Sequence, residues 1–357
     1  MLDSVPADMV AKLLERGYEV ARGTAAQATR MADSRARIRA SLEEMDAIVE
    51  VPNDVLDEVE LGDEDVSAVD GAFICDNQSI GDLCTAVAVT VGPRDGQGSS
   101  DVFMDSVPRS AKNKDLIAAV MASMEIQAAA GSDARVVLVD GSMHSGLITL
   151  SKALYSVGEA SDVLSERVRA CASPDVRAAV EQLLSQRRFV ALPKYTTTND
   201  LIPWLPTEFH SQDGKTLATM ALRPGEMTLW VDTLTSGKSA QRSVGRALGC
   251  TDAEERHITH LMDNVVSCYY RPHPWTPAFR LDVSKQTSDD PEATTMIIKA
   301  IRDNTLTSGI LEPFPLYLVD QYAKQISNGA APMVSMAAME NLDDDDAQLM
   351  LAMRYRS

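Results

Sequence analysis

The stretch "RVVLVDGSMH", residues 135–144, decides our expectation for the fold. Four apolar residues that favour β-structure run into Asp140 and a glycine, and an apolar run of this length predicts a buried strand. The same pattern occurs at residues 66–73, where "VSAVDGAF" runs into Asp70 and a second glycine. Asp-Gly is by itself an ordinary turn signal. Two copies of the pattern predict two buried strands, each of which ends at a carboxylate.

A helix between the two strands carries a third acid. The segment 114–130, "KDLIAAVMASMEIQAAA", places apolar residues on one stripe at helical spacing. At roughly 100° per residue, Glu125 falls on the flank of that stripe, so we expect it to be half-buried. If the two strands are neighbours, Asp70, Glu125 and Asp140 converge at one edge of the sheet.

Three converging carboxylates favour a site for hard cations. Binding of Mg²⁺ or Mn²⁺ offsets the cost of burying several acids, and oxygen-only ligands disfavour zinc. Two such ions can activate water and stabilise both oxygens of an in-line attack on a phosphodiester. The alternative from spacing alone is a pair of unrelated Asp-Gly turns with an incidental helix acid.

The remaining pattern predicts an α/β fold. A helix is predicted at 6–48, and strands at 66–75 and 82–91 are expected to pair antiparallel. The Gly- and Pro-containing excursion that follows, "GPRDGQGSSDVFMDSVPRSAKNK", is a candidate mobile loop. Further helices are predicted near 147–157, 161–186, 291–303 and 315–328, and further strands near 187–192, 216–222, 227–232, 264–270 and 278–283. This order predicts a mixed sheet with helices on its faces.

Changes in composition and charge along the sequence divide the chain into three parts. We expect an N-terminal helical arm with an acidic segment over 1–60, a main domain over 61–335 and an acidic C-terminal tail over 336–357. The formal charge is −19, but residues 43–70 hold twelve acidic and no basic side chains, and Asp343–Asp346 add four acids. The rest of the chain is nearly neutral. The acidic runs are predicted to be solvated, with docking of a basic partner as the alternative.

Length and cysteine content fit a folded protein of a reducing compartment. The chain has 357 residues, of which 45% are hydrophobic, and its five cysteines form no CxxC pair. This argues against a disulfide framework and a zinc ribbon. The N-terminal residues do not resemble a signal peptide, and no apolar run approaches the roughly 18 residues of a membrane span. We expect a soluble cytoplasmic protein that does not contact the membrane.

The order of these motifs resembles that of the NurA family of DNA-end-processing nucleases, which have a ribonuclease H-like fold. The shared order is strand-Asp-Gly, a long excursion, a helix bearing Glu, and strand-Val-Asp-Gly-Ser. Three later segments keep the order: "RRFVALPKYTTTNDL", "YYRPHPWTPAFRLDV" and "EPFPLYLVDQYAKQIS". The resemblance covers about residues 60–330, and it rests on the collinearity of short motifs.

The resemblance implies roles for individual residues. It places metal-binding acids at Asp70, Glu125 and Asp140, and it gives Lys194 a contact with phosphate or with charge that develops on it. The family's late helix often supplies a histidine, and the corresponding position is Asp320 here. This is a departure from the family, because a carboxylate can bind Mn²⁺ but cannot act as an imidazole proton donor. A tyrosine often found in the same motif corresponds to Glu312, to which we assign no role.

Aromatic and arginine side chains in "YYRPHPW" are candidates for DNA contact. Tyr269, Arg271 and Trp275, together with Arg280, could stack on unpaired bases or bind the DNA backbone. The alternative is that they belong to the core, because alternating aromatic residues in a strand are usually buried.

The resemblance implies a metal-dependent DNA nuclease that uses Mn²⁺ or Mg²⁺. It would hydrolyse phosphodiesters from DNA ends, chiefly 5′ to 3′, on single or unwound strands, in end processing or anti-phage defence. It would act as a homodimer with a hexameric HerA-type ATPase, which would bring in DNA without a basic surface on this chain. The alternatives are a catalytically silent scaffold that docks on an ATPase, and an actin-like phosphotransferase that binds nucleotide.

Overall fold

A mixed β-sheet forms the centre of the molecule. The computed structural model describes residues 6–78, 81–92, 98–157, 162–194, 198–233 and 244–340. Within them the sheet has ten strands: β1 Ile48–Glu50, β2 Val66–Gln78, β3 Gly81–Val91, β4 Gly98–Val107, β5 Val136–Asp140, β6 Phe189–Leu192, β7 Glu226–Thr228, β8 Val231–Asp232, β9 Val265–Arg271 and β10 Phe279–Ser284. Their order is β1-β7-β9-β10-β6-β5-β2-β3-β4, and β8 pairs with β9.

Helices flank this sheet. In chain order they are α1 Ala7–Glu44, α2 Asn53–Asp57, α3 Asn113–Gly131, α4 Ser145–Val157, α5 Val163–Ala170, α6 Pro174–Ser185, α7 Gly214–Ala221, α8 Val244–Ala247, α9 Asp252–Asp263, α10 Lys285–Ser288, α11 Pro291–Asn304 and α12 Phe314–Glu340. The predicted class, a mixed α/β sheet flanked by helices, is confirmed. None of the described helices is long and apolar enough to cross a membrane.

The strand directions explain how the site forms. Strands β2, β3 and β4 are antiparallel, whereas β2, β5 and β6 run parallel to one another. The register between β2 and β5 pairs Val69 with Val139. The next residue on each strand is Asp70 or Asp140, so the two carboxylates lie on neighbouring strands at the same level of the sheet.

Two apolar layers cover the faces of the sheet. On one face, α3, α4 and α6 pack on the sheet, with Ile117 and Leu147 among the buried residues. On the other face, α11 and α12 bury Ile297 and Val319 against residues such as Leu138. Helices α3 and α12 therefore lie on opposite faces of the sheet. A side chain from each of them can reach the same edge of the sheet.

The N-terminal helix packs on the rest of the molecule near its C-terminal end. Near its C-terminus, Ile38 and Leu42 are buried against α7 in a third apolar cluster. Near its N-terminus, Leu13 and Tyr18 are exposed. Strand β1, which follows the helix, pairs with β7 at the edge of the sheet. At the other end of the chain α12 runs to Glu340, and the acidic run 343–346 lies outside the described residues.

Four predictions of secondary structure were wrong. The strand predicted near 227–232 is two short strands, β7 and β8, each of which pairs with β9. Residues 216–222 were expected to form a strand, but 214–221 form α7, because the Asp213 side chain accepts a hydrogen bond from the Thr216 amide and caps the helix. The predicted helix 161–186 is two helices, since Ser173 caps a new helix that has proline at its first position. The excursion after β3 contains β4, whose mostly exposed residues lack a strong apolar pattern.

Candidate metal centre and active site

Carboxylates of β2, α3 and β5 line one cavity, and a carboxylate of α12 lies beside two of them. Asp70 on β2, Asp140 at the end of β5 and Asp320 on α12 each offer an oxygen, and these oxygens lie within 4.8 Å of one another. Glu125 of α3 lines a cavity of about 420 Å³ together with Asp70, Asp140 and Lys194. The structure therefore brings together all the acids that were predicted to bind metal.

Backbone amides orient the two sheet aspartates. The Gly71 amide donates to Asp70 Oδ1 at 2.7 Å, and the Gly141 amide donates to Asp140 Oδ1 at 2.9 Å. Gly141 has a φ of +85°, a conformation that favours glycine, and it turns the chain away from β5. One oxygen of each aspartate is therefore held by the amide of the glycine that follows it, and the other oxygen of Asp140, Oδ2, faces Lys194 Nζ at 3.0 Å.

The second Asp-Gly pair is not a turn. Strand β2 continues through Gly71 as far as Gln78, where we expected Asp70 to close the strand. A Cβ atom at Gly71 would lie 2.7 Å from Glu125 Oε1 and 2.8 Å from the Val87 carbonyl oxygen. Glycine at this position therefore lets the Glu125 carboxylate approach the strand, and it explains why this acid reaches the site.

Two of the acids are poised to take up protons when no cation is bound. Burial, followed by the charge of the neighbouring Asp140, raises the pKa of Asp70 to about 7 against the opposing effect of Lys194. The Glu125 side chain is partly exposed to the cavity, but its carboxyl group is surrounded by protein, which raises its pKa to about 8. Crowded oxygen donors of this kind fit a hard divalent cation such as Mg²⁺ or Mn²⁺, which would relieve their repulsion.

Lys194 lies among the same carboxylates. Its Nζ is 3.0 Å from Asp140 Oδ2, 3.2 Å from Glu312 Oε2 and 3.3 Å from Asp320 Oδ1. Burial lowers the pKa of Lys194, but the carboxylates, Asp140 first, outweigh it and hold the pKa above its usual value. The side chain is therefore a fixed positive charge next to the candidate metal ligands.

Asp320 differs from Asp140 and Glu312 because a second lysine, Lys324, contacts it in addition to Lys194. Its Oδ2 accepts a hydrogen bond from Lys324 Nζ at 2.7 Å, and Lys194 faces Oδ1. Burial raises the pKa of Asp320, but hydrogen bonds from the two lysines lower it below its usual value. Asp320 therefore carries its negative charge even without a metal ion.

Two residues near the site had no role in the prediction. Glu312, just before α12, contacts Lys194, and Lys215 Nζ on α7 donates to the Lys194 carbonyl oxygen at 3.0 Å. Glu312 could have been found only from its place in the "EPFPLYLVD" motif. Lys215 gave no signal, because the segment directly after it, 216–222, was predicted to be a strand and the helix that carries Lys215 was not predicted.

Two of the residues predicted to contact DNA are buried in a polar network of the core. Tyr269 is fully buried, and its hydroxyl donates to Asp200 Oδ2 at 3.1 Å. Arg280 Nε lies 2.8 Å from Asp282 Oδ1 and 3.2 Å from Asp200 Oδ2, and the Arg280 side chain is also buried. Because these side chains already have partners in the interior, direct contact with DNA does not agree with their position.

The other two candidates lie near the turn between β9 and β10. Arg271 donates to the backbone carbonyl groups of Thr219 and Leu222, which ties the strand to α7 and its C-terminal end. Trp275 is 45% exposed, and its ring stacks on His273 with 4.6 Å between ring centroids. Of the four predicted contacts, Trp275 presents the most accessible aromatic surface.

Comparison with known proteins identifies the family. The model of the NurA domain matches residues 64–325, which is more than half of the chain. No curated protein sequence matches the chain. The crystal structure of the NurA nuclease from Sulfolobus solfataricus is 12% identical, with a TM-score of 0.60, and the match covers 92% of this chain and 98% of that one.

Two further crystal structures share the fold. That of NurA bound to dAMP and manganese has a TM-score of 0.55 at 11% identity and covers 98% of this chain and 100% of its own. That of NurA with manganese has a TM-score of 0.51 at 12% identity and covers 92% of this chain and 99% of its own. The match to the domain model and the shared fold agree, and the chain belongs to the NurA family.

Proposed function

We propose that this chain is a Mn²⁺-dependent nuclease that hydrolyses phosphodiester bonds in DNA. The observation that carries the proposal is the convergence of Asp70, Glu125 and Asp140 on one cavity beside Lys194, in a chain of the NurA family. The similar structures that contain manganese and dAMP support the choice of ion and the class of substrate.

Different residues of the chain would bind the ion and contact the substrate. The cation would be held by carboxylate oxygens of Asp70, Glu125 and Asp140. The negative charge of these groups would repel anions, except a phosphate whose charge the cation offsets. The cation, when bound, supplies Lewis-acid stabilisation of the charge that develops on the phosphate. Lys194 Nζ adds a fixed positive charge to the same wall of the cavity.

Contact with the rest of the DNA strand is proposed for Trp275, whose exposed ring offers a surface on which a base can stack. We assign Tyr269 and Arg280 to the stability of the core instead. Arg271 would position the β9–β10 turn that carries Trp275, since it donates hydrogen bonds to the Pro274 and Thr276 carbonyl oxygens of that turn.

We further propose that cleavage starts at DNA ends and proceeds chiefly 5′ to 3′, in a homodimer that works with a hexameric HerA-type ATPase. The net charge of −19 supports a need for such a motor, because a surface of this charge attracts DNA poorly by itself. The motor would deliver DNA by translocation. Repair of DNA ends and defence against phage are both compatible with this activity.

Cleavage of end-labelled DNA tests the proposed polarity and the proposed role of the ATPase. Single- and double-stranded substrates labelled at either the 5′ or the 3′ end are incubated with Mn²⁺, with and without the ATPase and ATP. We expect short 5′-labelled products first, and faster cleavage of duplex DNA when the ATPase is present. Products of intermediate length without end dependence would contradict exonucleolytic polarity.

The competing proposal is a catalytically silent scaffold that docks on the ATPase. The departures from the family at Glu312 and Asp320 favour it, because they replace a tyrosine and a histidine by acids. It predicts binding of the ATPase without any Mn²⁺-dependent cleavage by the complex. Thermal stabilisation by ATP alone would instead favour the phosphotransferase alternative.

A further inference from the structure

Three carboxylates surround the ammonium group of Lys194 as they would surround a metal ion. Asp140, Glu312 and Asp320 each place one oxygen 3.0–3.3 Å from Nζ. These oxygens come from the end of β5, from the loop before α12 and from α12 itself. Three separate elements therefore converge on one cationic atom.

The lysine is held at both ends. Its backbone follows β6, and its carbonyl oxygen accepts a hydrogen bond from Lys215 Nζ at 3.0 Å. Its side chain is 29% exposed, so most of it lies against protein. An ammonium group fixed in this way does not need to be ordered when the substrate binds.

Asp140 connects this ammonium group to the candidate metal ligands. Its Oδ2 faces Lys194, and its carboxylate also lines the cavity with Asp70 and Glu125. In hydrolases that use two ions, the ions lie roughly 3.5–4 Å apart and act on the entering and leaving oxygens of the phosphate. Asp140 thus contacts the ammonium group and faces the other candidate ligands, as a carboxylate shared between two cations would.

We propose that Lys194 supplies the second cation of this site, so that each chain binds a single divalent ion, at Asp70, Glu125 and Asp140. The inference rests on the proposed nuclease function. It assigns Glu312 and Asp320 as ligands of the ammonium group, so Asp320 would not bind the ion, although its oxygen lies within 4.8 Å of oxygens of Asp70 and Asp140. It also gives a reason for acids at these two positions, because carboxylates hold an ammonium group more strongly than tyrosine or neutral histidine does.

The number of bound ions tests this proposal without recourse to activity. Mn²⁺ is titrated into the full chain by calorimetry, and the stoichiometry is measured for the wild type, Lys194→Met, Lys194→Arg and Lys324→Met. The last variant is the matched control, because Lys324 also contacts Asp320 but its side chain is 61% exposed. Thermal unfolding in EDTA shows whether each variant folds.

We expect one ion per chain for the wild type, Lys194→Arg and Lys324→Met, and two ions for Lys194→Met, since its three carboxylates lose their cation. Adding Glu312→Gln to Lys194→Met should weaken the second ion at least tenfold. Two ions in the wild type, or one in folded Lys194→Met, would overturn the inference. If Lys194→Met does not fold, the wild-type count decides alone, because one ion supports the proposal and two contradict it.

The same titration separates failure of this inference from failure of the proposed function. A wild-type chain that cleaves DNA and binds two ions would contradict only the role of Lys194. A chain that binds no Mn²⁺ and does not cleave DNA would contradict both proposals.

Discussion

Glu125 couples the candidate site to pH. In the metal-free chain, burial followed by the charges of Asp70 and Asp140 raises its pKa from 4.5 to about 8. At pH values between 4.5 and about 8, the folded chain therefore keeps a proton on Glu125 that the unfolded chain has lost. The contribution of Glu125 to stability is fully present below pH 4.5 and is lost as the pH rises through about 8.

Glu125→Gln should remove this pH dependence, because the amide is neutral throughout. In EDTA we expect the variant and the wild type to have similar free energies of unfolding at pH 5. At pH 9 the variant should be more stable, by an amount on the order of a few kcal/mol. Urea unfolding at both pH values measures the difference. If the variant and the wild type differ in free energy of unfolding by the same amount at pH 5 and at pH 9, Glu125 is not held in the environment described.

Arg280 gives a test of a structural role against a role in DNA binding. Arg280→Met leaves the buried Asp200 and Asp282 without their cation, so we expect a loss of about 3–5 kcal/mol in the free energy of unfolding. Arg187→Met is the matched control, because Arg187 pairs with Asp290 but its side chain is 60% exposed. That variant should lose at most about 1 kcal/mol.

A stable Arg280→Met chain with weakened DNA binding would reverse this assignment and restore the prediction of direct contact.

The candidate ligands could be predicted from the sequence because their positions follow from local rules. Apolar runs that end in Asp-Gly mark strands, and helical spacing places Glu125 on the side of its helix. Glu312 and Lys215 could not be predicted in this way. Each reaches the site through the packing of α12 or α7, and that packing depends on contacts between residues far apart in the chain.

At the scale of elements, the packing of α3 against β2 depends on the close approach of the two elements at Gly71. A methyl group there would lie 2.8 Å from both Met121 Cγ and the Val87 carbonyl oxygen. Gly71→Ala should therefore cost about 1–3 kcal/mol in stability, and it should weaken Mn²⁺ binding by displacing Glu125. Denaturant unfolding and calorimetry measure the two effects.

Gly131→Ala is the control for this substitution. Gly131 ends α3, and a methyl group there would have no neighbour within 4 Å. We expect no loss of stability and unchanged Mn²⁺ binding. Equal effects of the two substitutions would mean that the tight contact at Gly71 does not matter to the site.

Prediction at this scale succeeded for buried elements with strong periodicity and failed for the others. Residues 278–283 and 291–303 were predicted close to their observed bounds, since their apolar patterns are regular. Strand β4 was missed because it is an exposed edge strand, in which burial does not impose an apolar alternation. The segment that forms α7 is apolar enough for either structure, and its cap at Asp213 decides the outcome.

For the whole molecule, charge sets the expected mode of DNA binding. Sixteen of the nineteen net negative charges lie within residues 43–70 and 343–346. We expect the isolated chain to bind single-stranded DNA with a Kd weaker than about 1 µM at moderate salt, in the range of non-specific binding. Fluorescence anisotropy with Asp140→Asn avoids cleavage during the measurement.

Nanomolar binding by the isolated chain at moderate salt would remove the reason for invoking a motor. In that case the ATPase would have to act at a later step than DNA capture.

The mixed nature of the sheet could be predicted, but its full order could not. The alternation of strands and helices indicates parallel neighbours, and the short link between the first two long strands indicates an antiparallel pair. Nothing local indicates that β1 pairs with β7, because about 175 residues separate them and the pairing depends on how α1 and α7 pack.

The central claim is that Asp140 and its neighbours form the catalytic site of a nuclease. The most direct measurement is the rate of Mn²⁺-dependent cleavage of end-labelled DNA by the wild type, by Asp140→Asn and by Asp101→Asn, an exposed acid of β4 that serves as control. Circular dichroism establishes that each chain is folded. We predict that Asp140→Asn loses at least about 100-fold in rate, because loss of a residue that only supports a metal ligand already costs about 10–100-fold, while Asp101→Asn cleaves at the wild-type rate. Equal rates for a folded Asp140→Asn chain and the wild type would contradict the account.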